Sequence, residues 1–329
     1  MSDYSFDISV IVLTFNPKFE KLEKTLITIL KQERVRMQVI IADDGSNNNF
    51  FTNIRELMER YDFRDYHLIG SEKNQGTCKN YLSALKAATG KYTKSISPGD
   101  YLYSPETLIS WFEYMEKNSI DASFGDAVFY RNSEKENGII LFRKKTHPFF
   151  RKLFSLKHKD KMLFLKKIDY LVLQDYALGA AFFAKTDLQM RYCELLIDHI
   201  IYGEDSIYSL MLCDDVEFFY YPKEVVIYEY GLGISTANNA EWNRKLKKDN
   251  KALYEIILES SNYDPFIKRL RKMISADCDW GHNRMLKARL YPMAAIMFFI
   301  KNLFLLLGIG KSKTNIDEAF LREIGIQIA

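Results

Sequence analysis

The chain has 329 residues, 47% of them apolar and 27% charged, enough to bury one large α/β core or such a core plus a helical appendage. Its net charge of +3 is too small for bulk nucleic-acid binding, and no nucleic-acid partner is expected. Cys78, Cys193, Cys213 and Cys278 are scattered and the five histidines form no HxxxH-type set, so the thiols read as reduced, cytosolic cysteines and a histidine-held zinc is not expected.

The polar start Met1-Ser2-Asp3-Tyr4 reads as running straight into a strand, with no signal peptide. Ile8 to Thr14 is a β-branched run, and Pro17 suits a helix start. Phe19, Leu22, Leu26, Ile29 and Leu30 then recur at helical spacing. Val39-Ile40-Ile41-Ala42 predicts a buried strand ending in Asp43-Asp44-Gly45-Ser46. Phe50–Tyr61 predicts a helix, Tyr66–Gly70 a short strand, and Cys78–Ala88 another helix stopped by Gly90. Tyr92 to Ser97 reads as a strand ending at Pro98-Gly99-Asp100. Ser104 and Pro105 announce a helix through Met115, and Ala122–Tyr130 is a further strand. Strand signals return at Leu178–Ala184, Val216–Tyr221 and Val225–Tyr230; only helices are expected from Glu241 onward. Alternating strands and helices predict a mostly parallel α/β sheet flanked by helices, with ligands beyond the carboxyl ends of its strands.

Three acidic groups stand out. Asp43-Asp44 and Asp100 lie at strand ends, either as plain turns or as ligand contacts; Asp100 could reach Mn²⁺ or Mg²⁺ held on phosphate oxygens. Glu204-Asp205 follows Gly203 and precedes Ile207, Leu210 and Met211 at helical spacing, which places both acids in a first helical turn. There they would either stabilise the helix end or hold a general base.

In this order and spacing the motifs resemble family 2 glycosyltransferases, inverting enzymes of the GT-A (Rossmann-like) fold, of the bacterial polysaccharide-biosynthesis type. The resemblance covers roughly residues 5–235. It rests on Val10–Asn16, Leu26–Gln32, Val39–Ser46, Asn74-Gln75-Gly76, Ala87–Tyr92, Ser97–Asp100, Gly203-Glu204-Asp205 and Gly231–Ser235. It implies a catalytic domain over 1–235 and a helical region over 236–329 for acceptor, membrane or oligomer contact. It also implies a nucleotide site at Thr14, Phe15, Asn16, Asp43, Asp44, Asn74, Gly76, Pro98 and Gly99. Asp100 would hold the cation, Asp205 would be the base with Glu204 next, and Gly179 and Ala180 would face the acceptor. Ser97 and Gly99 depart from the family pattern, where aspartates are common.

The expected partners are a nucleotide-sugar donor, a UDP-sugar first, and a glycan or lipid-linked glycan acceptor. The setting is the cytoplasm, at the inner face of the membrane, in synthesis of a surface polysaccharide such as a capsule. The basic stretch Arg143–Lys167 reads as a solvated run, a lipid-headgroup surface or an acceptor-diphosphate dock. Tyr291–Leu307 reads as a core helix, a homodimer contact or an interfacial anchor. A nucleotidyltransferase would want a glycine-rich basic loop after the first strand, and a dehydrogenase a GxGxxG; Phe15-Asn16-Pro17 offers neither. A non-catalytic glycan-binding or scaffold protein of the same fold is the alternative from outside enzymes.

Overall fold

The computed structural model describes residues 4–133, 138–142, 154–155, 160–231, 239–259, 265–276, 283–307 and 316–328. Most of the basic stretch Arg143–Lys167, and the segment Gly231–Ser235 apart from Gly231, lie outside them. Strands β1 (Phe6–Thr14), β2 (Met37–Asp43), β3 (Tyr66–Gly70) and β4 (Gly90–Ile96) form a parallel half-sheet in the order β3-β2-β1-β4. Helices α1 (Phe19–Leu30), α2 (Phe51–Arg60) and α3 (Thr77–Ala87) make the crossovers. Because the four strands run the same way, Thr14, Asp43 and Ser97 arrive at one edge. The sheet continues through β8 (Phe182–Lys185), β6 (Ala122–Ser133), β9 (Phe218–Glu229) and β5 (Tyr101–Leu102), with β7 (Gly138–Phe142) on the outer part of β6.

Strand alternation divides the core between the two sheet faces. Val10, Val12, Val39 and Ile41 pack with α1, α2 and α4 (Thr107–Asn118). Ile11, Leu13 and Ile40 face the other way. They pack with α3, α6 (Thr186–Leu196), α7 (Ser206–Cys213) and three later helices: α8 (Ala240–Glu259), α9 (Pro265–Ala276) and α11 (Pro292–Leu306). The remaining helices are α5 (Asp160–Lys167), α10 (Arg284–Leu290) and α12 (Glu318–Glu323).

Several elements differ from expectation. The two strands foreseen at 216–221 and 225–230 are one, β9, which carries the extra residues of a bulge at exposed Pro222 and Lys223, opposite Gly125 of β6. At 178–184 only the last part is strand; Gly179–Ala181 is a single 3₁₀ turn. Helix α4 starts at Thr107 rather than near Ser104, because the Thr107 hydroxyl accepts the Ser104 N–H (2.8 Å) and closes a turn first. Glu204 and Asp205 stand on the turn before α7, not inside its first turn. Gly90 is no helix stop but the first residue of β4.

Gly90 matters for close approach. A Cβ there would strike the Ser9 N–H and stand 2.5 Å from the Ile8 carbonyl carbon of the adjacent strand. Gly90→Ala should therefore destabilise the protein by about 1–3 kcal/mol, the usual cost of overpacking, read as a lowered melting temperature. An unchanged melt would mean that β1 and β4 can part there.

Candidate active site

At the edge where β1 and β2 end, one carboxylate organises both turns. The Thr14 hydroxyl donates to Asp43 Oδ2 (2.9 Å), the Ser46 N–H to Oδ1 (2.8 Å) and the Ser46 hydroxyl to Oδ2 (2.5 Å). Ser46 Oγ in turn accepts the Asn16 N–H (2.6 Å), and Asn16 Oδ1 accepts the Asn47 N–H (3.0 Å). Asn16 adopts φ 46°, a left-handed conformation that asparagine tolerates. Thr14 and Asp43 are thus buried and committed, whereas Phe15 (50% exposed) and Asn16 stand open at the rim.

Asp44 reaches the next loop. Its two oxygens accept the N–H groups of Gln75 (2.8 Å) and Gly76 (2.9 Å), which offset the burial that raises its carboxyl above the ordinary aspartate range. Asn74 is exposed on this turn. Gly76, at φ 96°, leaves no room for a side chain: a Cβ would lie 2.6 Å from the Ile201 carbonyl oxygen. That carbonyl accepts the Cys78 N–H (3.0 Å). Ile201 therefore begins the turn that carries Glu204 and Asp205. From the far side Asp249, on α8, accepts the N–H groups of Ile201 (3.3 Å), Tyr202 (2.6 Å) and Gly203 (3.0 Å).

The turn so held presents two acids. Asp205 is solvent-accessible yet crowded by protein, as a side chain on the floor of a cleft would be, and that crowding raises its carboxyl. Glu204 is raised by burial first and by the negative charge of Asp205 second. Gly179 lies opposite: a Cβ there would stand 3.5 Å from Asp205 Cβ and 3.9 Å from Oδ2, so glycine keeps the space over the carboxylate clear. The next carbonyl, of Ala180, accepts Lys94 Nζ (2.6 Å). Lys94 is fully buried on β4, and burial drives its ammonium down to about 7 against the pull of Asp100. The Tyr208 ring stacks on Phe182 at 3.6 Å beneath this pair of acids.

Asp100 lies on the turn between β4 and β5. It is 5% exposed, its Oδ1 accepts the Glu229 N–H (3.0 Å), and burial pushes its carboxyl up to about 7. Gly99, at φ 101°, is buried beneath partly exposed Pro98, and the Glu229 carboxylate fills the space its side chain would take, 2.6 Å from the Cβ position. Glu229 is itself paired with Lys21. Among the described residues no three His, Cys, Asp or Glu side chains cluster to hold a metal. With Oδ1 taken by the Glu229 N–H, Asp100 would meet an Mn²⁺ or Mg²⁺ ion carried on a diphosphate through its other oxygen.

The sequence reading missed Lys21, Lys94, Glu229 and Asp249. Two of them carried a signal. Lys94 is a lysine inside a buried strand. Asp249 falls on the inward stripe of α8, between Leu246 and Leu253.

Residues 9–170 match Glycosyl transferase family 2. An uncharacterized protein of Methanocaldococcus jannaschii is 32% identical over 114 residues, 33% of this chain and 48% of its own length, so the match spans about half of that relative. Among solved structures, S. aureus TarS 1–349 in complex with UDP-GlcNAc superposes with a TM-score of 0.55 at 15% identity, covering 82% of this chain and 73% of its own. The mannosyltransferase PcManGT from Pyrobaculum calidifontis, in complex with GDP-Man and Mn²⁺, gives 0.54 at 14% identity, covering 98% and 80%. The fold is GT-A-like: a mixed, mostly parallel sheet flanked by helices.

The buried Lys94 gives a pH test. Its folded-state value lies below its unfolded one, so between about pH 7 and pH 10 the unfolded chain binds more protons and stability gains with pH. Relative to Lys94→Met, the wild type should gain up to about 1 kcal/mol per pH unit over that window, measured by urea unfolding. A flat difference would show that the ammonium stays charged in the fold.

Proposed function

We propose that this protein is an inverting glycosyltransferase of family 2, transferring a hexose from a nucleotide-sugar, a UDP-sugar first, to a glycan or lipid-linked glycan in cell-surface polysaccharide synthesis. The observation that carries the reading is Asp205, a carboxylate open to solvent, raised by its surroundings and fixed on a braced turn at the ligand edge of a GT-A-like sheet. The match of residues 9–170 to Glycosyl transferase family 2 supports it. So do the nucleotide and nucleotide-sugar complexes of the structures that share the fold.

Each residue then has a task. Phe15, Asn16 and Asn74, exposed at the strand-end rim, contact the nucleotide, while Thr14, Asp43, Asp44 and Gly76 shape the loops that carry them. Pro98 and Gly99 floor the diphosphate side. An acceptor hydroxyl enters past Gly179 and Ala180 and attacks the anomeric carbon. Asp205 takes the hydroxyl proton as the new C–O bond forms, and the bond to the diphosphate breaks with its electron pair leaving on the diphosphate oxygen. One displacement without a covalent intermediate inverts the anomeric centre. A raised carboxyl suits the base, because it holds the proton more strongly once taken. Glu204, raised by burial and by the charge of Asp205, stands beside it as the second carboxyl of the turn.

Asp205→Asn keeps the shape and removes the base. It should leave nucleotide binding intact and lower turnover by about 100-fold or more, measured as nucleotide released with acceptor present. In the wild type the acid limb of turnover should lie above the ordinary aspartate range. Undiminished turnover in Asp205→Asn would remove the base assignment.

A further inference from the structure

Helix α11 is divided lengthwise. Ala294, Met297 and Lys301 face the protein and are buried. On the opposite face Met293, Ile296, Phe299, Leu303 and Leu306 stand 39–84% exposed, with Leu307 beyond the helix end at 62%. Lys301 interrupts the apolar sequence but not this outer face: its ammonium turns inward to Asp169 (2.7 Å) and Asp175 (2.5 Å). Fifteen residues rise about 22 Å, short of the roughly 30 Å hydrocarbon layer. Among the described residues no helix is long and apolar enough to cross a membrane.

Among the described residues of α9, α10 and α11 every charged side chain is basic, although Asp264, Asp277 and Asp279 occur in the sequence on either side of α9. No Asp or Glu occurs at 265–276 or 283–307, whereas Lys268, Arg269, Lys272, Arg284 and Arg289 are exposed on α9 and α10. The Arg284 guanidinium sits 4.9 Å from the Phe298 ring centroid, at the border of the apolar face. A second copy laid on the same face would set these cations against their own kind. An anionic bilayer answers both features, with acyl chains for the apolar stripe and headgroup phosphates for the rim.

We propose that α9–α11 dock this protein on an anionic lipid surface, with α11 lying in the interface plane. The consequence for the site follows through Lys301. It ties α11 to Asp175, four residues before Gly179, which faces Asp205. Docking therefore holds the acceptor-side segment at a fixed height above the lipid, where a lipid-anchored hydroxyl would be offered. This deepens the lipid-linked acceptor of the functional reading, but the surface argument does not use the donor site, so vesicle binding and nucleotide binding fail separately.

The test is flotation of the full chain with phosphatidylcholine vesicles, with and without phosphatidylglycerol, at low and high salt. Wild type should float with anionic vesicles only and release in high salt. Phe299→Ser with Leu303→Ser, and separately Lys268→Glu with Lys272→Glu, should each weaken partitioning by about tenfold or more, with melting temperature and nucleotide binding unchanged. No flotation of the wild type, flotation indifferent to lipid charge, or a dimer by light scattering that both variants dissolve would overturn the proposal.

Discussion

Backbone amides bound by buried carboxylates hold the candidate site together. A loop cannot be buried without partners for its N–H groups, and a carboxylate cannot be buried without donors. Asp44 and Asp249 meet both requirements at once. Asp44 fixes the turn before α3, that turn receives Ile201 against Gly76, and Asp249 takes the three N–H groups from Ile201 to Gly203. Such charge-assisted bonds are worth about 1.5–3 kcal/mol each. Asp205 is thereby referenced to the end of β2 through backbone amides and two buried carboxylates.

The same device joins the C-terminal helices to the chemistry. Asp249 comes from α8 and Lys301 from α11, yet one braces the Glu204–Asp205 turn and the other the segment leading to Gly179. Leu253, Ile257, Tyr291 and Met297 enter the same core cluster as Ile11 and Ile40 of the sheet. Two lysines of the basic stretch are likewise turned inward: Lys166 pairs with Glu217 (2.5 Å) and Lys167 with Asp215 (2.6 Å). Within the described residues that stretch is partly structural rather than a solvated or lipid-facing run.

Periodicity made the first half of the chain legible. From β1 to α4 most elements carry a regular apolar pattern and their expected and observed bounds agree within a few residues, but the two-residue strand β5 went unread. Legibility failed where polar groups occupy inward positions. Helix α6 went unread because Gln189 sits on its buried stripe, where its amide binds the carbonyls of Thr93 and Ala184 and accepts the Tyr81 hydroxyl. The gap expected between 221 and 225 holds Pro222, a residue rarely found inside a strand, but β9 carries it at an exposed bulge. The acids at strand ends were visible as chemistry, but not which were open. Asp205 is accessible, whereas Asp43, Asp44 and Asp100 are buried, each with at least one oxygen bound by a protein donor.

The account stands on the strand-end cleft being a nucleotide-diphosphate site. Isothermal titration of UDP and GDP into the protein, in EDTA and then in Mn²⁺, addresses this directly. Saturable binding of one nucleotide that weakens in Phe15→Ala is the predicted result. Absence of binding by either nucleotide under both conditions would contradict it.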